Sequence, residues 1–359
     1  MDISIIGAGP IGCYAASLLA KKGIDVEIFE EHKKIGEPIS CTGILSKDVK
    51  KILELKKDFL VNKLKRVEVI GKDKKAEFKI EDYVVDRCKF DNYLAEKAKE
   101  NGAKINLGVK VIDVNNGRLV FNKERFNKSA KNKNVNKIIG ADGPNSIVAK
   151  KINPNRTVRY YIGKQAVVKG NFDKETYKVF LNASPNFFGW VVPEDENTAR
   201  IGIAALSNPS VYFDKFLAGI KEVRKINNYQ GGLIPVYNPR YKLQKNNMYI
   251  IGDAALQVKA STGGGIVPGL KAAKILCKCI CKNQNYEKKI FPIKKELLMH
   301  LFIRKTLNKF KEKDYDELID MLKNQKKLFM KHSRDSSMKL MLNLILREPR
   351  LLKFGRYLV

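Results

Sequence analysis

Histidine, tryptophan and acidic side chains are scarce in this chain of 359 residues, which contains three histidines, one tryptophan and 38 aspartates and glutamates. His32, His300 and His332 are scattered, with no spacing typical of a metal site or a catalytic triad. The chain also lacks a run of roughly 18 uninterrupted apolar residues, the length that a membrane-spanning helix requires. Any contact with a membrane is therefore expected to be peripheral.

Cysteine is present, but its spacing does not predict a disulfide framework. No segment before the first predicted strand resembles a signal peptide, so we expect a reducing, cytoplasmic environment. Cys277, Cys279 and Cys281 fall on one predicted helix, where the first and third share a face and the second points away. One metal ion would not easily bind all three, and we interpret them as small buried or half-buried residues. The remaining cysteines are Cys13, Cys41 and Cys88.

The shortage of acidic residues leaves a formal charge of +31, because lysine and arginine number 69. Such a surplus favours an anionic partner: nucleic acid, a phospholipid surface, an acidic protein or a phosphorylated substrate. Compositional drift explains the surplus equally well, since lysine and asparagine are abundant together at 121–137. The length and the 44% hydrophobic content predict two or three domains with a sizeable core.

The first 30 residues have the pattern of a βαβ unit. A buried strand is predicted at 3–6, a helix at 9–22 and a second strand at 26–29. A glycine-rich turn lies between the first strand and the helix, as in the first unit of a dinucleotide-binding fold.

The glycine turn has the spacing Gly7-x-Gly9-x-x-Gly12. Gly7 permits the tight turn, Gly9 lets the backbone approach a pyrophosphate, and Gly12 lets the helix pack on the strand. The helix N-terminus favours the negative charge of phosphates, and Glu30 would accept hydrogen bonds from ribose hydroxyls. The motif predicts a dinucleotide site and leaves NAD and FAD open.

Two later segments favour FAD. The sequence KIIGADGPNS at 137–146 places Asp142 after a buried strand, and MYIIGDAALQVKASTGGGI at 248–266 places Asp253 after another. An acidic residue at such a strand end can bind a ribityl hydroxyl, and the triple glycine at 263–265 can direct backbone N–H groups at a pyrimidine carbonyl or a phosphate. A dinucleotide held by both ends of the chain is FAD.

The remaining pattern divides the chain into three predicted parts. Short alternating strands with glycine and proline between them predict an antiparallel sheet, and the last 77 residues are helical by period, with 19 lysines and arginines against nine acidic residues. We predict a discontinuous FAD-binding domain at 1–63, 86–157 and 241–282, a sheet-based substrate domain at 64–85 and 158–240, and a basic helical C-terminal region at 283–359.

The chain resembles the FAD-dependent oxidoreductases of the glutathione-reductase-like, p-hydroxybenzoate-hydroxylase-type superfamily. The resemblance rests on GAGPIG, Glu30, the Arg87-x-x-Phe90-Asp91-x-x-Leu94-Ala95 segment, Gly140-Ala141-Asp142-Gly143 and Gly252-Asp253-Ala254-Ala255. It implies an α/β FAD-binding fold with an antiparallel-sheet substrate domain and a helical C-terminal part.

Three further segments narrow the resemblance to the geranylgeranyl reductase family. Cys41-Thr42-Gly43-Ile44 and the run from Phe188 to Pro193 are similar to the C-x-G and Y-x-W-x-F-P motifs of that family. The segment from Thr262 to Ile266 matches its archaeal lipid branch, the digeranylgeranylglycerophospholipid reductases. Phe188, Val192 and Lys259-Ala260 depart from the family pattern, the last standing where the family usually has Asn-Pro.

The resemblance implies a set of FAD contacts. Cys41 is the candidate catalytic residue because the family motif places it near the flavin ring, while Arg87 could equally form a surface ion pair and Val111 is otherwise an ordinary strand residue. The implied contacts are Gly7, Gly9, Ile11 and Gly12 in the phosphate turn, Glu30 on the adenosine ribose, Cys41, Thr42 and Gly43 near the isoalloxazine, Arg87 by the adenosine and pyrophosphate, Val111 at adenine, and Asp142, Asp253, Gly264, Gly265 and Ile266 at the ribityl and pyrimidine end.

An aromatic segment provides a candidate substrate tunnel. Phe188 and Trp190 with Pro193 could line an apolar passage for a polyprenyl chain, and a core aromatic cluster is the alternative. The resemblance implies a reductase that saturates the double bonds of geranylgeranyl chains in an ether-lipid precursor with hydride from reduced FAD. Because no second glycine fingerprint follows a strand, the expected electron donor is a ferredoxin-like protein or transiently bound NAD(P)H.

The C-terminal stretch at 338–359 predicts a helix broken at Pro349 and rimmed by arginines. Such a pattern favours an interfacial helix on anionic lipid, and a tail helix packed on its own domain explains it equally well. The predicted apolar face consists of Leu340, Met341, Leu344 and Ile345.

Two other functions remain open at this point. An oxygen-using aromatic hydroxylase has the same predicted fold, although the C-x-G and F-x-W-x-V-P segments argue against it. A basic flavoprotein associated with nucleic acid would need a localised basic stripe with stacking aromatics, whereas the charge here is spread along the whole chain.

Overall fold

The computed structural model describes residues 2–115, 117–122 and 132–357. Most of the Lys/Asn-rich loop at 121–137 and the last two residues of the C-terminal stretch lie outside the described residues. The strands are β1 (Asp2–Ile6), β2 (Asp25–Glu30), β3 (Ile44–Ser46), β4 (Leu60–Ile70), β5 (Lys75–Val85), β6 (Lys104–Leu107), β7 (Val111–Asn115), β8 (Arg118–Phe121), β9 (Asn132–Asn134), β10 (Lys137–Gly140), β11 (Tyr160–Gly170), β12 (Thr176–Phe180), β13 (Gly189–Pro193), β14 (Thr198–Ala205), β15 (Val223–Pro235), β16 (Gln244–Lys245) and β17 (Met248–Ile250).

Helices connect and cover these strands. The α-helices are α1 (Pro10–Ala20), α2 (Arg87–Glu100), α3 (Ile147–Ile152), α4 (Pro209–Ala218), α5 (Ile266–Cys281), α6 (Tyr286–Lys289), α7 (Phe291–Leu307), α8 (Glu312–Leu322), α9 (Lys326–Lys331) and α10 (Ser337–Arg347). Short 3₁₀ helices span Lys47–Lys51, Gly252–Ala255, Lys323–Gln325 and Pro349–Tyr357.

A six-stranded sheet forms the first layer, in the order β16-β17-β10-β1-β2-β6. All of its strands except β16 run parallel, so their carboxyl ends meet at one edge. Helix α1 packs against α2 and α5 beside this sheet, and the small sheet β7-β8-β9 contacts it through Phe29 and Phe121, whose ring centroids lie 5.0 Å apart. The predicted βαβ unit is confirmed.

An eight-stranded sheet forms the second part, in the order β15-β11-β14-β13-β12-β4-β5-β3. Its pairs are antiparallel except for β12 and β4, which run parallel. The segment 64–85, which the sequence assigns to the sheet-based domain, contributes the hairpin of β4 and β5, which begins earlier, at Leu60. Strand β3 also joins this sheet, because the loop after β2 folds back onto β5. The predicted domain boundaries themselves stay a prediction.

The C-terminal helices lie across one face of the eight-stranded sheet. Helices α8 and α9 pack on β5, where the rings of Phe78 and Phe329 have centroids 4.4 Å apart. Within the part of the chain that the structure describes, no helix is long and apolar enough to cross a membrane. The interpretation of the three helical cysteines is wrong for Cys281, which is exposed because it is the last residue of α5, whereas Cys277 and Cys279 are buried.

Candidate functional site

A crevice of about 630 Å³ opens at the carboxyl edge of the parallel sheet. It runs from Glu30 and Val111 at one end, past the glycine turn after β1, to Asp253 and Gly265 at the other. Such a volume lies in the range of small-molecule and cofactor sites. The crevice thus passes over the ends of β1, β2, β10 and β17, where α/β sheets bind ligands.

The glycine turn separates two structural glycines from one that borders open space. Gly7 has φ +98°, and a Cβ there would lie 2.4 Å from the carbonyl oxygen of Ala141. A Cβ on Gly12 would lie 2.1 Å from the carbonyl oxygen of Gly7, whereas a Cβ on Gly9 would meet no atom of the described residues within 4 Å. Because Gly9 lines the crevice and no described side chain caps the first turn of α1, the turn offers open backbone to an anion.

Glu30 ends β2 beside this turn and already has protein partners. Its Oε2 accepts a hydrogen bond from the Ala8 N–H at 2.8 Å, and its Oε1 accepts one from the His32 N–H at 2.9 Å. The ring of His32 lies 2.6 Å from the same Oε1. A carboxylate accepts about four hydrogen bonds, so Glu30 keeps capacity for a ribose hydroxyl.

Two buried carboxyl groups border the inner part of the crevice. Asp142 accepts a hydrogen bond from the Ile147 N–H at 2.9 Å through Oδ2, while its buried Oδ1 has no partner among the residues that the structure describes. Burial raises the pKa of Asp142 and of Asp253 to about 6. A buried polar atom without a partner is costly. Both aspartates line the crevice, where carboxyl groups can accept hydrogen bonds from the hydroxyls of a polyol. These residues therefore fit the sugar and ribityl hydroxyls of a dinucleotide.

Arg87 lies inside the crevice, not on the surface. Its guanidinium forms two hydrogen bonds with Asp91, at 2.7 and 3.1 Å, and the side chains are only 15% and 4% exposed. Arg87 also approaches Cys41, whose segment forms the floor between the crevice and the eight-stranded sheet. A fixed positive charge at this position suits a phosphate or a reduced cofactor.

A second cavity, of about 410 Å³, meets the inner end of the crevice. The two cavities share Cys41, Gly263, Gly265 and Ile266. Much of the second cavity is walled by apolar side chains of the large sheet and of α8 and α9, among them Val67, Val69, Phe78, Val179, Trp190, Ile319, Leu322 and Phe329. We name it the apolar cavity.

The predicted tunnel residues have different positions relative to the apolar cavity. Phe188 and Trp190 line it, and Phe188 stacks on Phe187 with ring centroids 4.5 Å apart. Pro193 does not line it, because it ends β13 and its carbonyl accepts a hydrogen bond from the Asn62 amide at 3.0 Å. The cavity lining thus does not support Pro193 as a tunnel residue, and its role stays a prediction.

The Cys41–Gly43 segment is held from strands far along the chain, which the sequence analysis missed. The Thr42 hydroxyl donates to Gln165 Oε1 at 2.7 Å, and the Thr42 carbonyl accepts from Arg200 Nη1 at 2.7 Å. Arg200 is itself bound to Glu194 at 2.5 Å and is buried in β14. An arginine within an otherwise apolar strand, TARIGIAA, was the signal that could have revealed it.

A cluster of charged side chains lines part of the apolar cavity at Asp82, Lys259 and Arg334. Lys259 Nζ donates to Asp335 Oδ1 at 2.6 Å, and Arg334 pairs with Asp82 at 3.1 Å. The Ser46 hydroxyl donates to the second oxygen of Asp335. No sequence signal pointed to Asp335, because its partners lie 76 and 289 residues away.

His300 of α7 forms hydrogen bonds beside this cluster, with Ser261 and Arg334. The Ser261 hydroxyl lies 2.5 Å from Nδ1, and Nε2 lies 3.1 Å from the Arg334 carbonyl oxygen, so a neutral ring donates from Nε2 and accepts at Nδ1. The side chain is 3% exposed, and burial lowers its pKa from 6.5 to about 3. His300 therefore becomes protonated below pH 6.5 in the unfolded chain, but only near pH 3 in the folded chain.

Acid is expected to destabilise the protein through His300. The stability that depends on neutral His300 is complete above pH 6.5 and is lost as the pH falls toward 3. At pH 4.5 the free energy of unfolding should be lower by about 2 to 3 kcal/mol. Urea unfolding at pH 7 and pH 4.5 measures the loss, and His300→Gln should reduce it while His32→Gln should not. The variant comparison isolates His300 from two nearby carboxyl groups: burial raises the pKa of Asp82, which acts with the opposite sign, whereas the lowered pKa of Asp335 acts with the same sign. Equal losses in the wild type and His300→Gln would contradict the prediction.

Comparisons with known proteins establish the family. Residues 5–41 match the NAD(P)-binding Rossmann-like domain. The chain is 27% identical, over 90% of its length, to the digeranylgeranylglycerophospholipid reductase of Methanosarcina acetivorans, 89% of which is covered. It is 30% identical to an uncharacterized protein of Methanocaldococcus jannaschii, over 79% of this chain and 76% of that protein. The chain belongs to the geranylgeranyl reductase family.

Solved structures agree on the fold of this geranylgeranyl reductase family member. A geranylgeranyl bacteriochlorophyll reductase-like protein from Thermoplasma acidophilum superposes with a TM-score of 0.83 at 21% identity, covering 100% of this chain and 99% of that one. CmlS, a flavin-dependent halogenase, superposes with a TM-score of 0.71 at 15% identity, covering 98% and 78%. The predicted α/β fold class, with its antiparallel-sheet domain and helical C-terminal part, is confirmed.

Two departures from the pattern of the geranylgeranyl reductase family have structural consequences here. Val192, which replaces the second phenylalanine, is completely buried in the core between β4, β5 and β13. Lys259, at the position where the family usually has asparagine, is the buried member of the ion pair with Asp335. The second departure therefore brings a charge to the junction of the two cavities.

Proposed function

We propose that this protein is an FAD-dependent reductase that saturates the double bonds of geranylgeranyl chains in an ether-lipid precursor. The observation that supports this function best is the union of the two cavities, because a dinucleotide crevice ends inside an apolar cavity. The name of the Methanosarcina acetivorans relative is consistent with such a substrate.

The residues of the crevice would hold FAD along its length. The open backbone at Gly9 faces the pyrophosphate, Glu30 and Val111 border the adenosine end, and Asp142 and Asp253 accept hydrogen bonds from hydroxyls. When bound and reduced, FAD supplies the hydride that saturates one carbon of the alkene. The other carbon takes a proton, and Cys41 remains the candidate catalytic residue because its side chain borders both cavities.

The apolar cavity orients the alkene and excludes water. An isolated alkene is a poor hydride acceptor, so it must be held against the reacting end of the crevice. The walls of the large sheet and of α8 and α9 supply this confinement. Arg200 and Gln165 position the Cys41–Gly43 segment at the junction through the bonds to Thr42.

We propose that the C-terminal region docks on an anionic membrane. The predicted apolar face is covered by the protein itself, as the alternative interpretation expected, because Leu344 is buried and Leu340 lines the apolar cavity. The exposed face instead carries Leu342, Leu346 and Leu352, which are 58%, 78% and 61% exposed. Basic residues flank this face at Lys339, Arg347 and Arg350. Apolar side chains with a basic rim suit the interface of an anionic bilayer.

Replacement of Leu342 and Leu346 by glutamine is expected to weaken binding to vesicles of an anionic phosphoglycerol lipid at least about tenfold. Each leucine loses apolar area that the bilayer would bury. Co-sedimentation measures binding, and Leu206→Gln, at an exposed leucine before α4, is the control. Unchanged binding of the double variant would exclude this face as the docking site.

The surplus of positive charge is consistent with an acidic electron-donor protein, and we propose a ferredoxin-like donor or NAD(P)H as the source of electrons.

Co-expression with a geranylgeranyl ether-lipid pathway, followed by mass spectrometry of the lipids, tests the proposed reductase function. We expect mass gains in steps of two hydrogens. Bound FAD, a working donor and no mass gain would refute the lipid reductase.

A further inference from the structure

A buried lysine, Lys259, lies directly beside the three glycines at 263–265, at the junction of the two cavities. We propose that Lys259 raises the reduction potential of bound FAD and that Asp335, from the C-terminal region, limits this effect as its counter-ion. The inference rests on the proposed binding of FAD.

The backbone of Lys259 builds the turn that its side chain supports. The Gly263 N–H donates to the Lys259 carbonyl at 2.8 Å, and the Lys259 N–H donates to the Gly264 carbonyl at 3.2 Å. A Cβ on Gly264 would lie 3.1 Å from Lys259 Cε and 3.5 Å from Nζ. The ammonium group is therefore fixed next to Gly264, and the residue is only 4% exposed.

The reacting end of the cofactor must lie at this turn. The outer end of the crevice, at Glu30 and Val111, does not reach the apolar cavity, whereas Gly263 and Gly265 line both cavities. A hydride acceptor in the apolar cavity can meet the cofactor only where the two spaces join. Lys259 thus lines the apolar cavity beside the three glycines at 263–265, close to this end of the cofactor.

Lys259 and Asp335 form a buried ion pair, in which burial lowers the pKa of Lys259 and the carboxylate of Asp335 opposes that shift. Nζ lies 2.6 Å from Asp335 Oδ1, and Lys259 holds the pKa of that buried carboxyl well below its ordinary value. Asp335 accepts a second hydrogen bond from Ser46, and Arg334 is occupied by Asp82 at 3.1 Å. Within this otherwise balanced cluster, Gly264 has the lysine carbon chain and ammonium as its close neighbours.

The redox consequence follows from charge balance. Two-electron reduction of FAD by the proposed electron donor is accompanied by uptake of one proton. The net charge of the cofactor therefore becomes more negative by one. A fixed positive charge in a water-poor site stabilises that form, since Coulomb interactions are stronger at low dielectric constant. Removing the positive charge must lower the reduction potential, and removing the counter-ion must raise it at a pH where Lys259 stays protonated.

Equilibrium titration of the FAD-loaded protein against a reference dye, without lipid, tests this. We expect Lys259→Met to lower the ratio of reduced to oxidised FAD about tenfold at a fixed potential, a shift of about 30 mV for a two-electron couple. Asp335→Asn should shift the ratio in the opposite direction. Lys274→Met, which removes a charge from the exposed face of α5, should leave it unchanged.

Opposite shifts of the reduction potential in the two variants distinguish an effect of charge from a disruption of the 263–265 turn. Such a disruption would shift the potential of both variants in the same direction. If Lys259→Met does not fold, Lys259→Asn and the neutral pair Lys259→Met with Asp335→Asn supply the comparison, and the neutral pair should lie between the single variants. Shifts of one sign, or none, in folded FAD-loaded variants overturn the proposal while lipid reduction stands. Opposite shifts without lipid reduction refute only the proposed substrate, and a wild type that binds no FAD overturns both.

Discussion

Gly9→Val is expected to weaken FAD binding at least about 100-fold while leaving the fold and its melting temperature nearly unchanged. Gly9 has an ordinary backbone conformation, with φ −67° and ψ 174°, and a Cβ there meets no atom of the described residues within 4 Å. The added side chain instead fills the space over the first turn of α1, where the pyrophosphate must approach the backbone. The substitution should therefore lower the affinity for FAD without lowering the stability of the protein.

Fluorescence titration of the FAD-free protein measures the affinity, and thermal unfolding measures the fold. Gly355→Val is the matched control, because a Cβ on that glycine would likewise meet no described atom within 4 Å, but the residue lies in the C-terminal 3₁₀ helix. Gly12→Ala should behave differently again, since its Cβ would lie 2.1 Å from a carbonyl oxygen and must disturb the turn itself. Normal FAD affinity in Gly9→Val would exclude the crevice as the dinucleotide site.

Val179→Trp is expected to reduce lipid saturation at least about 100-fold without affecting the reduction of FAD. Val179 lies on β12 and lines the apolar cavity opposite α8. An indole ring would occupy the space that the proposed polyprenyl chain needs, whereas none of the described residues that line the dinucleotide crevice comes from this strand. The effect should therefore separate substrate entry from cofactor function.

Mass spectrometry of the lipid product and absorbance of FAD during reduction measure the two steps separately. Val211→Trp makes the same substitution at a valine that is 67% exposed on α4, and it should retain full activity. Full lipid saturation by folded Val179→Trp would mean that the substrate occupies another space. A parallel loss of FAD binding would show general damage, which the melting temperature would report.

Local features of the site could be predicted because short segments determine them. The spacing of Gly7, Gly9 and Gly12 specifies a turn between a strand and a helix, and its steric reason is visible in three neighbouring residues. The hairpin of β4 and β5 follows likewise from alternation and a turn. In both cases the interacting groups are close in sequence.

Long-range pairs could not be predicted from the same patterns. Thr42 and Gln165 are separated by 123 residues, and Lys259 and Asp335 by 76, so their meeting depends on how whole elements pack. Periodicity showed that the tail helix is amphipathic but not what covers its apolar face. The protein itself covers Leu344, and other leucines remain exposed.

The parallel pairing of β4 with β12 has a consequence for synthesis of the chain. The β4–β5 hairpin is complete about 90 residues before β12 has been made, an interval of about 5 to 20 s at ordinary translation rates. During this time the β4 edge has no partner and could pair with strands of other nascent chains. Lys65 and Arg66 lie at the start of that edge, and such charges oppose edge-to-edge association. Two of the basic residues are therefore placed where they can oppose aggregation of the unfinished sheet.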